Sequence, residues 1–92
     1  MATSALRLRI KGLVHGVFFR ATMAQVASTA GVRGYVRNLA DGSVEAFLEG
    51  EEDNVNQVLE WAKRGPPRAR VDSVKVEKAS PRNIRGFKIE GQ

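Results

Sequence analysis

Gly12-Leu13-Val14-His15-Gly16-Val17-Phe18-Phe19-Arg20 stands between two different periodicities. Upstream, Leu6, Leu8 and Ile10 alternate with Arg7, Arg9 and Lys11, the period-two pattern of a strand with one apolar face, read from about Ala5 to Lys11. Downstream, Met23, Val26, Ala27 and Ala30 recur at helical spacing, which predicts a helix from near Arg20 to Ala30, with Gly31 placed to close it. A loop with two glycines that passes from strand to helix aims several backbone N–H groups at one point. The positive end of the helix dipole points the same way. Arg20 adds a permanent charge and a planar fork of donors. The stretch is suited to holding an oxyanion, above all a phosphate.

Outward from this loop, Val32 to Leu39 reads as a second strand, in which Gly34 marks a bulge or a close backbone approach. Ala40-Asp41-Gly42 reads as a hairpin turn, because Asp-Gly supplies the positive φ that tight turns require. The third strand, Ser43 to Glu49, alternates Val44, Ala46 and Leu48 with Glu45, Phe47 and Glu49, so strands two and three form an antiparallel pair. Val55, Val58, Leu59 and Ala62 then make the single apolar stripe of a second helix. Acidic residues at its start (Glu51, Glu52, Asp53) and cations at its end (Lys63, Arg64) match the helix dipole, and Gly65-Pro66-Pro67 stops it.

A fourth strand is expected from about Arg70 to Lys78 with Val74 and Val76 facing inward, and a short closing strand from Gly86 to Glu90. The order strand, helix, strand, strand, helix, strand is that of the ferredoxin-like βαββαβ sandwich, an α+β fold. The sheet is expected to be mainly antiparallel, with two helices on one face and an extra C-terminal strand. The other face is expected to meet water and to carry Arg7, Arg9, Lys11, Arg33 and Arg37 as a solvated basic surface.

Ninety-two residues, 42% of them apolar, suit one domain over 1–92 with one core. No apolar run approaches the roughly 18 residues of a membrane helix. Met1-Ala2-Thr3-Ser4 lacks the layout of a secretory signal, and the chain has no cysteine, so a reducing cytoplasm is the expected location. Fifteen basic against ten acidic residues give a net charge of +5, which favours anionic partners without choosing among them. A lone histidine without cysteine argues against zinc or copper, so neither metal nor cofactor is expected. No Gly-Lys-Ser/Thr follows the glycine loop at Walker spacing, no Ser-His-Asp set can be assembled, and no closely spaced aromatics mark an RNA-recognition strand.

Three segments together resemble the acylphosphatases, enzymes that hydrolyse the carboxyl–phosphate bond. The first is Gly12 to Arg20, against the pattern Gly-x-Val-Gln-Gly-Val-x-Phe-Arg. The second is Gly34-Tyr35-Val36-Arg37-Asn38 followed by Asp41-Gly42-Ser43-Val44-Glu45, and the third is Gly65-Pro66-Pro67 with Ala69-Arg70-Val71 beyond it. The likeness runs from about Leu6 to Ile89. It implies that the loop amides of His15, Gly16, Val17, Phe18, Phe19 and Arg20, with the Arg20 side chain, bind the phosphate, and that Asn38 positions the attacking water. It also implies that no metal is used and that the substrate's own phosphate accepts the proton. The chain departs from the pattern at His15, where glutamine is usual, and at Ala21, where tyrosine is common.

Each residue also has a plainer reading. Asn38 alone reads as hairpin chemistry, and the His15 side chain as a solvated loop group. Gly12 and Gly16 are read as places of close backbone approach to a ligand. Phe18, Phe19 and Tyr35 are read as core or sheet packing, and Trp61 as packing at the edge of the helix–sheet interface. The expected activity is hydrolysis of small acyl phosphates by a cytoplasmic monomer, with inorganic phosphate as product and inhibitor. The alternative is a ferredoxin-like module that binds nucleic acid through its basic sheet face.

Overall fold

A computed structural model describes residues 2–91; Met1 and Gln92, the ends of the unit expected from sequence, lie outside the described residues. Seven elements follow in order: β1 (Thr3–Leu13), α1 (Phe19–Thr29), β2 (Arg33–Asn38), β3 (Val44–Glu51), α2 (Glu52–Arg64), β4 (Arg70–Lys78) and β5 (Phe87–Glu90). They build one five-stranded sheet in the order β4-β1-β3-β2-β5. All neighbours are antiparallel except β2 and β5, which run parallel. The ferredoxin-like order and the extra C-terminal strand are both present. β1 is two residues longer at each end than its alternation suggested.

Both helices cover one face. Leu8, Ile10, Val36, Val44, Ala46 and Leu48 point from the sheet into a core closed by Phe19, Met23 and Ala27 of α1 and by Val55, Val58 and Ala62 of α2. Val76 sits beside Leu8 in the ladder, so it faces the helices as expected. Lying on the edge strand beyond their cover, it remains 41% exposed. Trp61 packs against Phe19 with ring centroids 5.2 Å apart, at the boundary between the helices. Gly34 is a close approach, as read: a Cβ there would run into the Phe47 carbonyl.

The opposite face departs from the expected solvated surface. Phe47 and Glu49, both read as outward residues of β3, are fully buried. The segment joining β4 to β5 crosses over them. Phe47 stacks on Tyr35 at 5.8 Å, and the Arg82 guanidinium lies 5.4 Å from the Phe47 ring. Glu49 accepts the backbone N–H groups of Arg82, Asn83 and Ile84 at 2.9, 3.2 and 2.6 Å. Three consecutive N–H groups around one carboxylate make an anion nest that the chain fills with its own side chain. Elsewhere on this face Arg37 pairs with Glu45 at 2.7 Å, and Arg9 lies 3.9 Å from Asp41. The cations there are interleaved with acids and aromatic rings, not gathered into a bare basic surface.

Burial pushes the Glu49 carboxyl up, but the N–H groups of Ile84, Arg82 and Asn83, with the Arg33 charge beyond them, outweigh it and hold the group below its ordinary 4.5. A depressed folded-state value means that the stabilisation is complete above the ordinary range and is lost as pH falls through the folded value. Glu49→Gln turns an N–H toward donors and is expected to cost about 1.5–3 kcal/mol. Urea midpoints measured between about pH 3 and 6 should fall with acid in the wild type and change less in Glu49→Gln.

Candidate active site

β1 and β2 are both antiparallel to β3, and β5 is parallel to β2, so β1, β2 and β5 all point their C-terminal ends toward the same end of the sheet. Register makes the meeting specific. Val44, the first residue of β3, pairs with Ile10 on one side and with Asn38 on the other. The chain leaves β1 at Leu13 and enters α1 at Phe19, so the intervening loop lies beside Asn38.

Val14 and Phe19 anchor the two ends of that loop in the core, at 1% and 2% exposure. Between them Gly16 and Phe18 are left-handed, with φ of 72° and 63°. Such turns in the backbone direct successive N–H groups toward a common point. No side chain among the described residues caps α1, and its first turn holds no acidic residue. The first intrahelical bond runs from the Thr22 N–H to the Phe18 carbonyl at 3.0 Å, so the N–H groups of Phe19, Arg20 and Ala21 precede the helical ladder. By contrast, α2 carries Glu52 and Asp53 in its first turn.

Arg20 and Asn38 line the same open concavity of about 430 Å³, together with Val14, Gly16, Phe18, Phe19, Ala21 and Ile89. The Asn38 Oδ1 is buried and has no hydrogen-bond partner among the described residues. An unpaired buried acceptor is costly, which marks this one as free for something other than the fold.

Two expected amide positions turn their side chains elsewhere. Val17 packs against the core. His15 is not the solvated side chain expected: its Nε2 donates to the Ser43 carbonyl at 2.8 Å. A carbonyl oxygen only accepts, so Nε2 carries the proton. The same oxygen accepts the N–H of Leu39, the residue after Asn38, also at 2.8 Å. One carbonyl therefore ties the loop to the end of β2. Asp41 holds that carbonyl's residue in turn, accepting the Ser43 hydroxyl and, at 2.9 Å, its N–H. These bonds, hydroxyl first, keep the Asp41 carboxyl below its ordinary range.

Two other expectations are corrected. Gly12 approaches backbone, not a ligand: it lies where the β1–β4 register shifts, and a Cβ on it would run into the Arg70 carbonyl. Phe18 is not packed in core or sheet but stands 69% exposed at the rim of the concavity. Ile89 was missed as a site residue. Its alternation with Phe87 suggested a strand, but only the parallel pairing with β2 brings it here.

The chain matches the family model described as Acylphosphatase over residues 6–89. The chain belongs to the acylphosphatase family. An acylphosphatase of Thermococcus kodakarensis is 49% identical over 84 residues, which cover 91% of this chain and 92% of that one. The solved acylphosphatase structure from Coxiella burnetii superposes with a TM-score of 0.92 at 32% identity, covering 96% of this chain and 93% of that one. The Bacillus subtilis acylphosphatase gives a TM-score of 0.91 at 30% identity, with 97% and 99% covered. The likeness spans nearly the whole of each partner, so the acylphosphatase activity belongs to this chain and the nucleic-acid alternative is not favoured.

The His15 bond generates its own expectation. His15→Ala leaves the loop amides in place but removes one donor from the Ser43 carbonyl, at a cost of about 1 kcal/mol. Amide exchange at Gly16 to Arg20 should quicken in that variant. His15→Gln, with an amide donor of similar reach, should recover most of the loss in a denaturation series.

Proposed function

We propose that the chain hydrolyses small acyl phosphates to a carboxylate and inorganic phosphate in the concavity between the Gly12–Arg20 loop and Asn38. The phosphate is held by the backbone N–H groups from His15 to Arg20 and by the Arg20 guanidinium. Asn38 orients the water that attacks phosphorus. As the new P–O bond forms, the bond from phosphorus to the acyl oxygen breaks and the carboxylate leaves with its electron pair. The water's proton passes to a phosphoryl oxygen of the substrate, so no protein base, metal or cofactor is needed. Inorganic phosphate, the product, occupies the same cradle and acts as a competitive inhibitor. The enzyme works as a cytoplasmic monomer.

The observation that carries this reading is the shared concavity: Arg20 and Asn38 come from different elements yet line one space with the loop. Phosphoryl transfer asks mainly for positioning and charge neutralisation, and a carboxylate is already a good leaving group. A helix start without an acidic residue supplies the neutralising field, and the bidentate fork of Arg20 adds directional donors. Asn38, which can accept and donate without titrating, suits a water-positioning role.

Hydrolysis of benzoyl phosphate by wild type, Arg20→Lys and Asn38→Ala tests the assignment. Each variant should lose about 10²–10³ in kcat, since one stabilising group of such a site is worth that much. Lysine should not rescue, because a point charge cannot reproduce the guanidinium fork. Full activity in either variant would remove that residue from the mechanism, and an inactive wild type would end the enzymatic reading. Added phosphate should raise KM without lowering kcat and should shift the amide resonances from His15 to Arg20.

A further inference from the structure

The open concavity of about 430 Å³ is lined by more than the groups that a phosphate and a water would engage. Its polar groups, Arg20, Asn38 and the amides about Gly16, account for only part of its wall. The remainder is apolar, and two of its members are unusual. Phe18 and Ile89 are among four large apolar side chains that stand exposed among the described residues, at 69% and 49%. Both reach this one concavity, Phe18 from the loop and Ile89 from the edge strand β5. Ala21 lies with them and fills little space.

Phe18 is exposed at a conformational cost. Its φ of 63° and ψ of 26° place a bulky residue in the left-handed region, which such residues rarely adopt. Its neighbour Phe19 enters the core instead, at 2% exposure. Strain of this kind collects at functional sites, where the surrounding structure holds it in place.

We propose that Phe18 and Ile89 form an apolar lip that receives the acyl group, so that the enzyme prefers acyl phosphates with an aromatic or branched apolar acyl part over acetyl phosphate. The proposal rests on the phosphate site described above. The phosphate end is fixed by charge, and the acyl end extends over a surface that would otherwise leave apolar area in water. Contacts of this kind are made equally in the ground and transition states, so they act through KM more than through kcat.

The test compares kcat/KM for benzoyl and acetyl phosphate in wild type, Phe18→Asn and Ile89→Thr. Asparagine tolerates the left-handed backbone, and threonine keeps a β-branched residue in the strand. The wild-type ratio should favour benzoyl phosphate. It should fall about tenfold in Phe18→Asn and about threefold in Ile89→Thr, carried by KM for benzoyl phosphate, whatever the absolute rates become. A ratio unmoved in Phe18→Asn, or a wild type that prefers acetyl phosphate, overturns the lip while leaving the phosphate site intact. A wild type inactive on both substrates sinks the phosphate site itself, and the lip with it.

Discussion

Val44 stands in register with two strands at once, facing Ile10 on β1 and Asn38 on β2, and the geometry of the candidate site depends on that double register. A slip of one residue on either side would send Asn38 to the other face of the sheet and the end of β1 out of line with it. The core enforces the register, because Ile10, Val36, Val44 and Ala46 are all fully buried on the helix side. Packing that looks purely structural thus sets the distance between the loop before α1 and a polar side chain from another strand. The β2–β3 hairpin adds a second hold, since the Ser43 carbonyl joins His15 to Leu39.

The two helices divide their labour by how their ends are treated. α2 is neutralised at both ends, with Glu52 and Asp53 at the start and Lys63 and Arg64 at the finish. Those charges complement its dipole, and nothing is left over for a ligand. Among the described residues α1 has neither a capping side chain nor an acidic first turn, and Arg20 adds charge where the dipole is already positive. Such an arrangement is unfavourable for an isolated helix and is relieved when an anion binds there. The loop before it repeats the pattern with two left-handed residues, so field and donors converge on one side.

What was legible in the sequence follows from how local each signal is. The α2 stripe, its charged ends, the Asp41-Gly42 turn and the one-sided alternation of β1 are determined within a few residues. The structure reproduces them with small changes in length. Glu49 is buried by partners 33 to 35 residues away in the chain, and Phe47 lies under Arg82 of the same crossing segment, so alternation alone assigns both to solvent. The proton on His15 Nε2 is set by a carbonyl 28 residues away. Phe18 carried a misleading local signal: two adjacent phenylalanines before a helix look like core, yet the left-handed turn can send only one of them inward. The elements could be read from periodicity, whereas the site's finer contacts come from pairings that periodicity does not encode.

The crossing segment between β4 and β5 gives the Glu49 nest a bearing on the site. β5 is four residues long and lies at the sheet edge, beside β2 alone. A parallel pair of that length holds weakly by itself, since parallel bonds are slanted and the strand lacks a second neighbour. Its approach is fixed by the N–H groups of Arg82, Asn83 and Ile84 on Glu49 and by the bond from the Gly34 N–H to the Gly86 carbonyl at 2.9 Å. Three residues beyond Gly86 comes Ile89, opposite Val36 and on the wall of the concavity. The carboxylate buried on one face of the sheet thus steadies the strand whose side chain lines the site on the other. A buried charge remote from the concavity helps to shape the space proposed for the reaction.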